Sequence, residues 1–202
     1  MRILLACEES QAVTKELRDL GHEAYSCDLE PCSGDYPEYH LQQDAVDLLK
    51  QKWDMIIAFP PCTYMTNGGA VRMYPTKGNI DSVRFEKAIK AKDFFMLFYN
   101  ADCPRIAIEN PMPMKVIGLP EKTQVIQPYE YGEPFSKRTY LWLKGLPKLE
   151  PTNILTEYQP FINGGGGRLE KANYKGKSFA NGSTKRSKTF LGIAKAMAEQ
   201  WT

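Results

Sequence analysis

The stretch Asp54-Met55-Ile56-Ile57-Ala58-Phe59-Pro60-Pro61-Cys62 decides the fold. Its apolar residues run on without alternation, the pattern of a parallel strand covered on both faces. Two prolines end the run, because neither carries an N–H with which to extend a ladder, and a cysteine then opens a loop. Upstream, Arg2 to Ala6 is a second short apolar run. From Gln11 to Leu20 the residues Ala12, Val13, Leu17 and Leu20 fall at helical spacing, with Ser10 as the expected N-cap and Gly21 as the closing residue. A strand over Glu23 to Cys27, a Pro/Gly/Ser-rich loop from Pro31 to Pro37 and a short helix over Ala45 to Lys50 follow. Strand and helix alternate, which predicts an α/β fold: a doubly wound, mostly parallel sheet.

Downstream, Cys62 to Asn79 contains Asn67-Gly68-Gly69 and Gly78-Asn79 and reads as an irregular, mobile loop. Phe85, Ala88, Ile89, Phe95 and Phe98 recur at three and four residues and predict a long helix over Asp81 to Tyr99. Arg105 to Glu109 is a strand that stops at Asn110-Pro111, further strands are expected over Thr123 to Ile126 and Thr139 to Lys144, and a last helix over Phe190 to Trp201. With 202 residues, 43% hydrophobic and 25% charged, the chain is read as a single domain around one core. No apolar run reaches the roughly 18 residues a membrane crossing needs, and the N-terminus has no signal-peptide core, so a cytoplasmic protein is expected. Five cysteines at irregular spacing do not suggest a disulfide framework.

Charge is distributed unevenly. Residues 1–49 carry 3 basic and 11 acidic side chains, whereas residues 161–202 carry 8 basic and 2 acidic. An acidic front suits a neutral or cationic small ligand, and a basic tail suits phosphates or simply solvent.

In a doubly wound sheet ligands collect beyond the carboxyl ends of the strands. Three segments sit directly after predicted strands: Cys7-Glu8-Glu9-Ser10, Pro60-Pro61-Cys62 and Glu109-Asn110-Pro111. They should converge. Cys62 is the candidate nucleophile, since the prolines place its thiol at a loop edge, while Cys7, Cys27, Cys32 and Cys103 read as small buried hydrophobes. Glu109 is an acid whose burial would let it give and take protons. A thiolate that adds to C6 of a pyrimidine turns C5 into a carbon nucleophile, and an acid against N3 favours that addition. His22, Cys27, Cys32 and His40 have metal-ligand types, but their spacing matches no familiar zinc site, and no metal is expected.

The order Phe59-Pro60-Pro61-Cys62, then Glu109-Asn110-Pro111, resembles the Pro-Cys and Glu-Asn-Val motifs of the cytosine C5 DNA methyltransferases. Tyr131-Gly132-Glu133-Pro134 and Lys137-Arg138-Thr139-Tyr140-Leu141 look like their later Tyr-Gly-x-Pro block with its following arginines and strand. The resemblance covers about residues 2–144, with a weaker terminal part from Asn181 to Trp201. It implies a sheet of S-adenosylmethionine-dependent methyltransferase type and S-adenosyl-L-methionine as methyl donor. It also implies DNA as partner, with the target cytosine flipped out or single-stranded. Cys62 would then be the nucleophile, Glu109 would stabilise the N3-protonated base, Asn110 would position the catalytic loop, and Lys137 or Arg138 would brace the target. The cofactor would lie against Cys7, Glu8, Glu9 and Ser10, against Asp28-Leu29 through the ribose, against Asp44-Ala45 through the adenine amine, and beside Pro60 and Pro61.

The chain departs from that pattern at named places. No glycine-rich first turn is present, and Glu8 or Glu9 would have to pair with the cofactor's ammonium group. Phe135, Lys137 and Thr139 replace the Gln and both arginines of the later block. Only residues 146–189 stand where a target-recognition domain would be inserted, a reduced basic segment in which Tyr158, Phe161, Tyr174 and Phe179 are expected either to stack on bases from a flexible arm or to sit in a surface loop. Such compact chains are similar to methylase-like products of phages and other mobile elements, and a partner chain could supply sequence recognition. Two alternatives stand beside this expectation: a catalytically inactive regulatory or nucleic-acid-binding protein of the same fold, and a pyrimidine methyltransferase acting on RNA or a free nucleotide. An amino-methyltransferase fits poorly, because Phe59 cannot accept a hydrogen bond from a target amine.

Overall fold

The computed structural model describes residues 1–161 and 188–202. The expectations placed on Tyr174, Phe179 and Asn181 lie outside those residues. Seven strands form the main sheet in the order β3-β2-β1-β4-β5-β8-β6. In chain order these are β1 (Arg2–Ala6), β2 (Glu23–Asp28), β3 (His40–Gln42), β4 (Met55–Ala58), β5 (Ile106–Pro111), β6 (Gln124–Ile126) and β8 (Thr139–Lys144). Strands β1 to β5 pair in parallel, and β8 runs antiparallel to both β5 and β6. Two further strands, β7 (Phe135–Ser136) and β9 (Gln159–Pro160), pair in parallel as a separate ribbon.

The alternation of side chains along each strand splits the core between two faces. Leu4, Ala6, Ile56, Ala58, Ile106 and Ile108 face one side. Against them pack Leu48 of helix α2 (Ala45–Leu48), Met73 of α3 (Ala70–Met73), and Ala88, Phe95 and Phe98 of α4 (Ser82–Tyr99). Ile3, Leu5, Met55, Ile57 and Ala107 face the other side, covered by α1 (Ala12–Asp19) and α5 (Leu191–Trp201). Strand β4 is buried throughout, as its uninterrupted apolar run requires. The long helix α4 matches the predicted spacing, and the Asp81 side chain caps it by accepting from the Arg84 backbone N–H at 2.7 Å.

Two local expectations are corrected. Ser10 does not cap α1: the cap position is Gln11, and Glu8 accepts from the backbone N–H groups of Val13 and Thr14 instead. The segment after Cys62 is not irregular throughout. It folds into a 3₁₀ turn at Asn67–Gly69 and the one-turn α3, with Met65 and Met73 fully buried as apolar anchors. Residues 146–161, the described part of the segment 146–189, make contacts with the rest of the fold. Gln124 exchanges two hydrogen bonds with the Leu149 backbone, and Leu155 N–H donates to the Tyr129 carbonyl. Tyr158 stacks on Tyr129 with ring centroids 4.0 Å apart, and Phe161 packs against Phe135 and Phe190. Two of the four rings expected there, Tyr158 and Phe161, thus pack on neighbouring rings of the fold.

Candidate active site

The carboxyl ends of β1, β4 and β5 lie side by side, because β4 pairs with β1 on one edge and β5 on the other. Their following segments are therefore neighbours, as the chain order suggested. The Asn110 side chain, fully buried at the end of β5, donates Nδ2–H to the Pro60 carbonyl at 2.9 Å. This bond fixes the amide's orientation, since a carbonyl can only accept. Asn110 Oδ1 has no partner among the described residues. Cys62, two residues past Pro60, is half-buried, and its carbonyl accepts from Met65 and Thr66 N–H at 3.0 and 3.1 Å. The turn is stitched to the chain beyond β5 by Asn67 N–H to the Met112 carbonyl and Met114 N–H to the Met65 carbonyl.

Glu109 precedes Asn110 on β5, opposite Leu141 on β8. Burial raises its carboxyl above the ordinary value, and the Lys137 ammonium and a hydrogen bond with the Thr139 hydroxyl oppose that shift. Lys137 is 7% exposed, its backbone N–H donates to Gln127 Oε1 at 2.9 Å, and its ammonium lies 5.7 Å from the Phe190 ring centre. Between Lys137 and Arg138, the structure sets Lys137 against the acid and leaves Arg138 half-buried in the β7–β8 connection. Thr139, whose hydroxyl donates to the Lys137 carbonyl at 3.0 Å, brings no charge to Glu109.

No disulfide joins the five cysteines. Burial pushes the Cys7 and Cys103 thiols up, and that of Cys27 to about 11, so these three stay protonated and inert near neutral pH. Cys27 donates to the Gln43 carbonyl and Cys32 to the Gly34 carbonyl, while His40 contacts Ser26 and the Glu30 carbonyl, and His22 the Met1 amino group. The four residues weighed for zinc are thus engaged separately, and among the described residues no cluster of three or more metal-ligating side chains occurs.

The turn after β1 has no glycine, yet Cys7 and Gln11 take left-handed backbone conformations, with φ of 61° and 57°. A bend that glycine would make freely is held here at a steric cost in two other residues. Gln11 sustains it. Its buried side chain donates to Ser26 Oγ at 3.1 Å and to the Tyr36 carbonyl at 2.7 Å, and accepts from Tyr36 N–H at 3.0 Å. Gly34 seals the contact, because a Cβ there would lie 2.6 Å from Gln11 Oε1 and 2.8 Å from the Ser10 carbonyl oxygen. A cavity of about 320 Å³ opens here, lined by Ser10, Gln11, Gly34, Tyr36 and Lys188 among others, and Cys62 and Glu109 do not line it.

Glu8, expected to face the cofactor's ammonium group, instead turns inward. Its carboxylate is 4% exposed and accepts from Val13 N–H at 2.7 Å and Thr14 Oγ1 at 2.6 Å, closing the N-terminus of α1. Glu9 is half-buried, and its backbone carbonyl accepts from Ser33 N–H. Asp28 ends β2 with Oδ1 accepting from Glu30 N–H, and Asp44 caps α2 through Val46 N–H. Leu29 is 70% exposed beside Asp28, whereas Ala45 is buried.

No family model and no curated protein matches the chain. Among solved structures it is similar to a prophage-encoded E. coli protein assigned as a DNA modification methyltransferase, at 14% identity and a TM-score of 0.44, covering 80% of this chain and 53% of that one. It is also similar to a mutant of DNMT2 from Spodoptera frugiperda, at 16% identity and a TM-score of 0.36, covering 77% and 55%. The chain spans about half the length of either structure. The fold is α/β, built on a seven-stranded, mostly parallel central sheet. The antiparallel β8 lies between β5 and β6 at one end of that otherwise parallel sheet.

Proposed function

We propose that this chain transfers a methyl group from S-adenosyl-L-methionine to C5 of cytosine in DNA, through a covalent adduct with Cys62. The observation that supports this reading above others is the Asn110–Pro60 hydrogen bond. It ties the segment bearing the only cysteine that follows a strand-ending proline pair to the strand bearing Glu109, an acid held protonated to higher pH by burial. A thiol and a proton-donating carboxyl on adjoining strand ends suit reversible addition to an aromatic ring better than direct attack by an amine.

The residues present fit the cofactor. The left-handed Cys7 lets the backbone bend away after β1, and Asp28 and Asp44 each keep a second carboxylate oxygen as acceptor for a ribose diol and an adenine amine. With Glu8 committed to α1, the ammonium partner falls to Glu9. When bound, the cofactor supplies an electrophilic methyl group on a sulfonium. The chain's own residues do the rest. The Cys62 thiolate bonds to C6 while Glu109 gives its proton to N3, which places the electron pair at C5 for attack on the methyl carbon. Loss of the C5 proton to solvent, return of the N3 proton to Glu109 and departure of the thiolate restore the ring.

Transfer of labelled methyl groups to DNA, RNA and free cytidine nucleotides, with Cys62→Ala alongside, tests the assignment. Label on DNA alone that vanishes in the variant is expected. Label confined to RNA or nucleotide, or persisting in Cys62→Ala, overturns it.

A further inference from the structure

We propose that Arg84 is a positioning residue for the Cys62 thiol, a role that rests on the reading of Cys62 as the nucleophile. Arg84 lies in the first turn of α4, outside every motif that carries the resemblance, and its guanidinium reaches back across the sheet edge to the thiol-bearing turn. Nη2 donates to the carbonyl of Thr63, the residue after Cys62, at 3.1 Å. Its Cζ lies 5.2 Å from the centre of the Tyr64 ring, with the Lys87 ammonium 5.6 Å from the same ring. The next residues, Met65 and Thr66, donate their N–H groups to the Cys62 carbonyl. One side chain therefore grips two consecutive residues of the turn whose other side is closed on Cys62 itself.

Two features indicate that this placement is built in. Gly69 makes room for it: a Cβ there would stand 2.6 Å from Arg84 Nη2. Arg84 Nε is buried without a hydrogen-bond partner among the described residues, an arrangement that costs stability. The planar fork matters, because its fixed N–H groups and flat face hold Thr63 and Tyr64 in one geometry that a rotating ammonium does not impose. The base of the arm is rigid as well, since the Asp81 carboxylate caps α4 at the Arg84 N–H and Ala88, Phe95 and Phe98 bury the helix.

The test compares wild type with Arg84→Ala, Arg84→Lys and Gly69→Ala, the last of which displaces the guanidinium while keeping it in the chain. Amide hydrogen exchange is read at Met65 and Thr66, with Ile57 and Ile108 as strand references, and single-turnover methyl transfer is read with the KM for S-adenosylmethionine. All three variants should exchange at least about tenfold faster at Met65 and Thr66 with the references unchanged. Transfer should fall about tenfold to a hundredfold with KM unchanged, and added methylguanidinium should partly rescue Arg84→Ala. Unchanged exchange at Met65 and Thr66, acceleration that spreads to the strand references, or full activity in Arg84→Lys would overturn the proposal. If the wild type transfers no methyl group, the functional reading fails alone, and the exchange data still decide whether Arg84 holds the turn.

Discussion

Asn110 Nδ2 lies 2.9 Å from the Pro60 carbonyl oxygen, joining the end of β5 to the segment that carries Cys62. Asn110→Ala removes the donor and lets that segment shift. Methyl transfer should fall by about 10²-fold, the loss expected from misplacing a reacting group by about 1 Å. Asn110→Asp should be worse in stability than Ala, because it sets a buried carboxylate oxygen against a carbonyl oxygen, an unpaired charge costing on the order of 3 kcal/mol or more. Denaturant midpoints and single-turnover rates check both, and a more stable Asp variant would contradict the assignment.

Glu109 and Lys137 should set the alkaline limb of the pH profile. Glu109 must be protonated to donate to N3, so activity is lost as pH rises through its raised pKa. Lys137 holds that pKa down, and Lys137→Met removes the positive charge. The limb should move to higher pH in Lys137→Met, as read from kcat against pH. Movement to lower pH would mean that Lys137 does not act on this carboxyl.

A second pH effect concerns folding. Burial pushes Glu8 from an ordinary value of 4.5 up to about 7, against its hydrogen bonds to Val13 and Thr14. The folded state thus keeps a proton that the unfolded chain releases. Stability contributed by this group is complete below about pH 4.5 and is lost as pH rises to about 7. Urea midpoints should decline across that window in wild type and flatten in Glu8→Gln. A midpoint that rises over the same window would reverse the sign and refute the assignment.

Gly34→Ala tests the cradle after β1. Its Cβ would meet Gln11 Oε1 and the Ser10 carbonyl inside contact distance. Displacing Gln11 takes the acceptor from the Tyr36 N–H, at a cost of about 1 to 3 kcal/mol, while Ser26 keeps its contact with His40. Calorimetry should show weaker S-adenosylmethionine binding together with a lower Tm, and unchanged affinity would separate this clasp from the cofactor site.

Elements with a strong period were legible from the residues. The apolar run 55–59 carries β4 over Met55–Ala58, and the spacing of Ala88, Phe95 and Phe98 is α4. Strands β3, β7 and β9 were not, because two or three residues give no period and their pairing is decided by distant chain. The one-turn α3 was hidden behind Asn67-Gly68-Gly69, where glycines that open a 3₁₀ turn read as loop punctuation. At the site, the sequence pointed to the strand-end segments but not to side-chain direction. Glu8 and Glu9 are equivalent on paper, and only the start of α1 at Ala12 decides that Glu8 faces inward. Arg84 offered one faint signal, its place three residues after the capping Asp81; the reach to Thr63 is a tertiary fact.

The covalent step at Cys62 is tested most directly by incubating the protein with S-adenosylmethionine and DNA containing 5-fluorocytosine, whose C5 fluorine cannot leave as a proton. A denaturation-resistant protein–DNA adduct that maps to Cys62 and is absent from Cys62→Ala is predicted. Methylation of ordinary DNA by a protein that forms no such adduct, or an adduct mapping to another residue, would contradict the account.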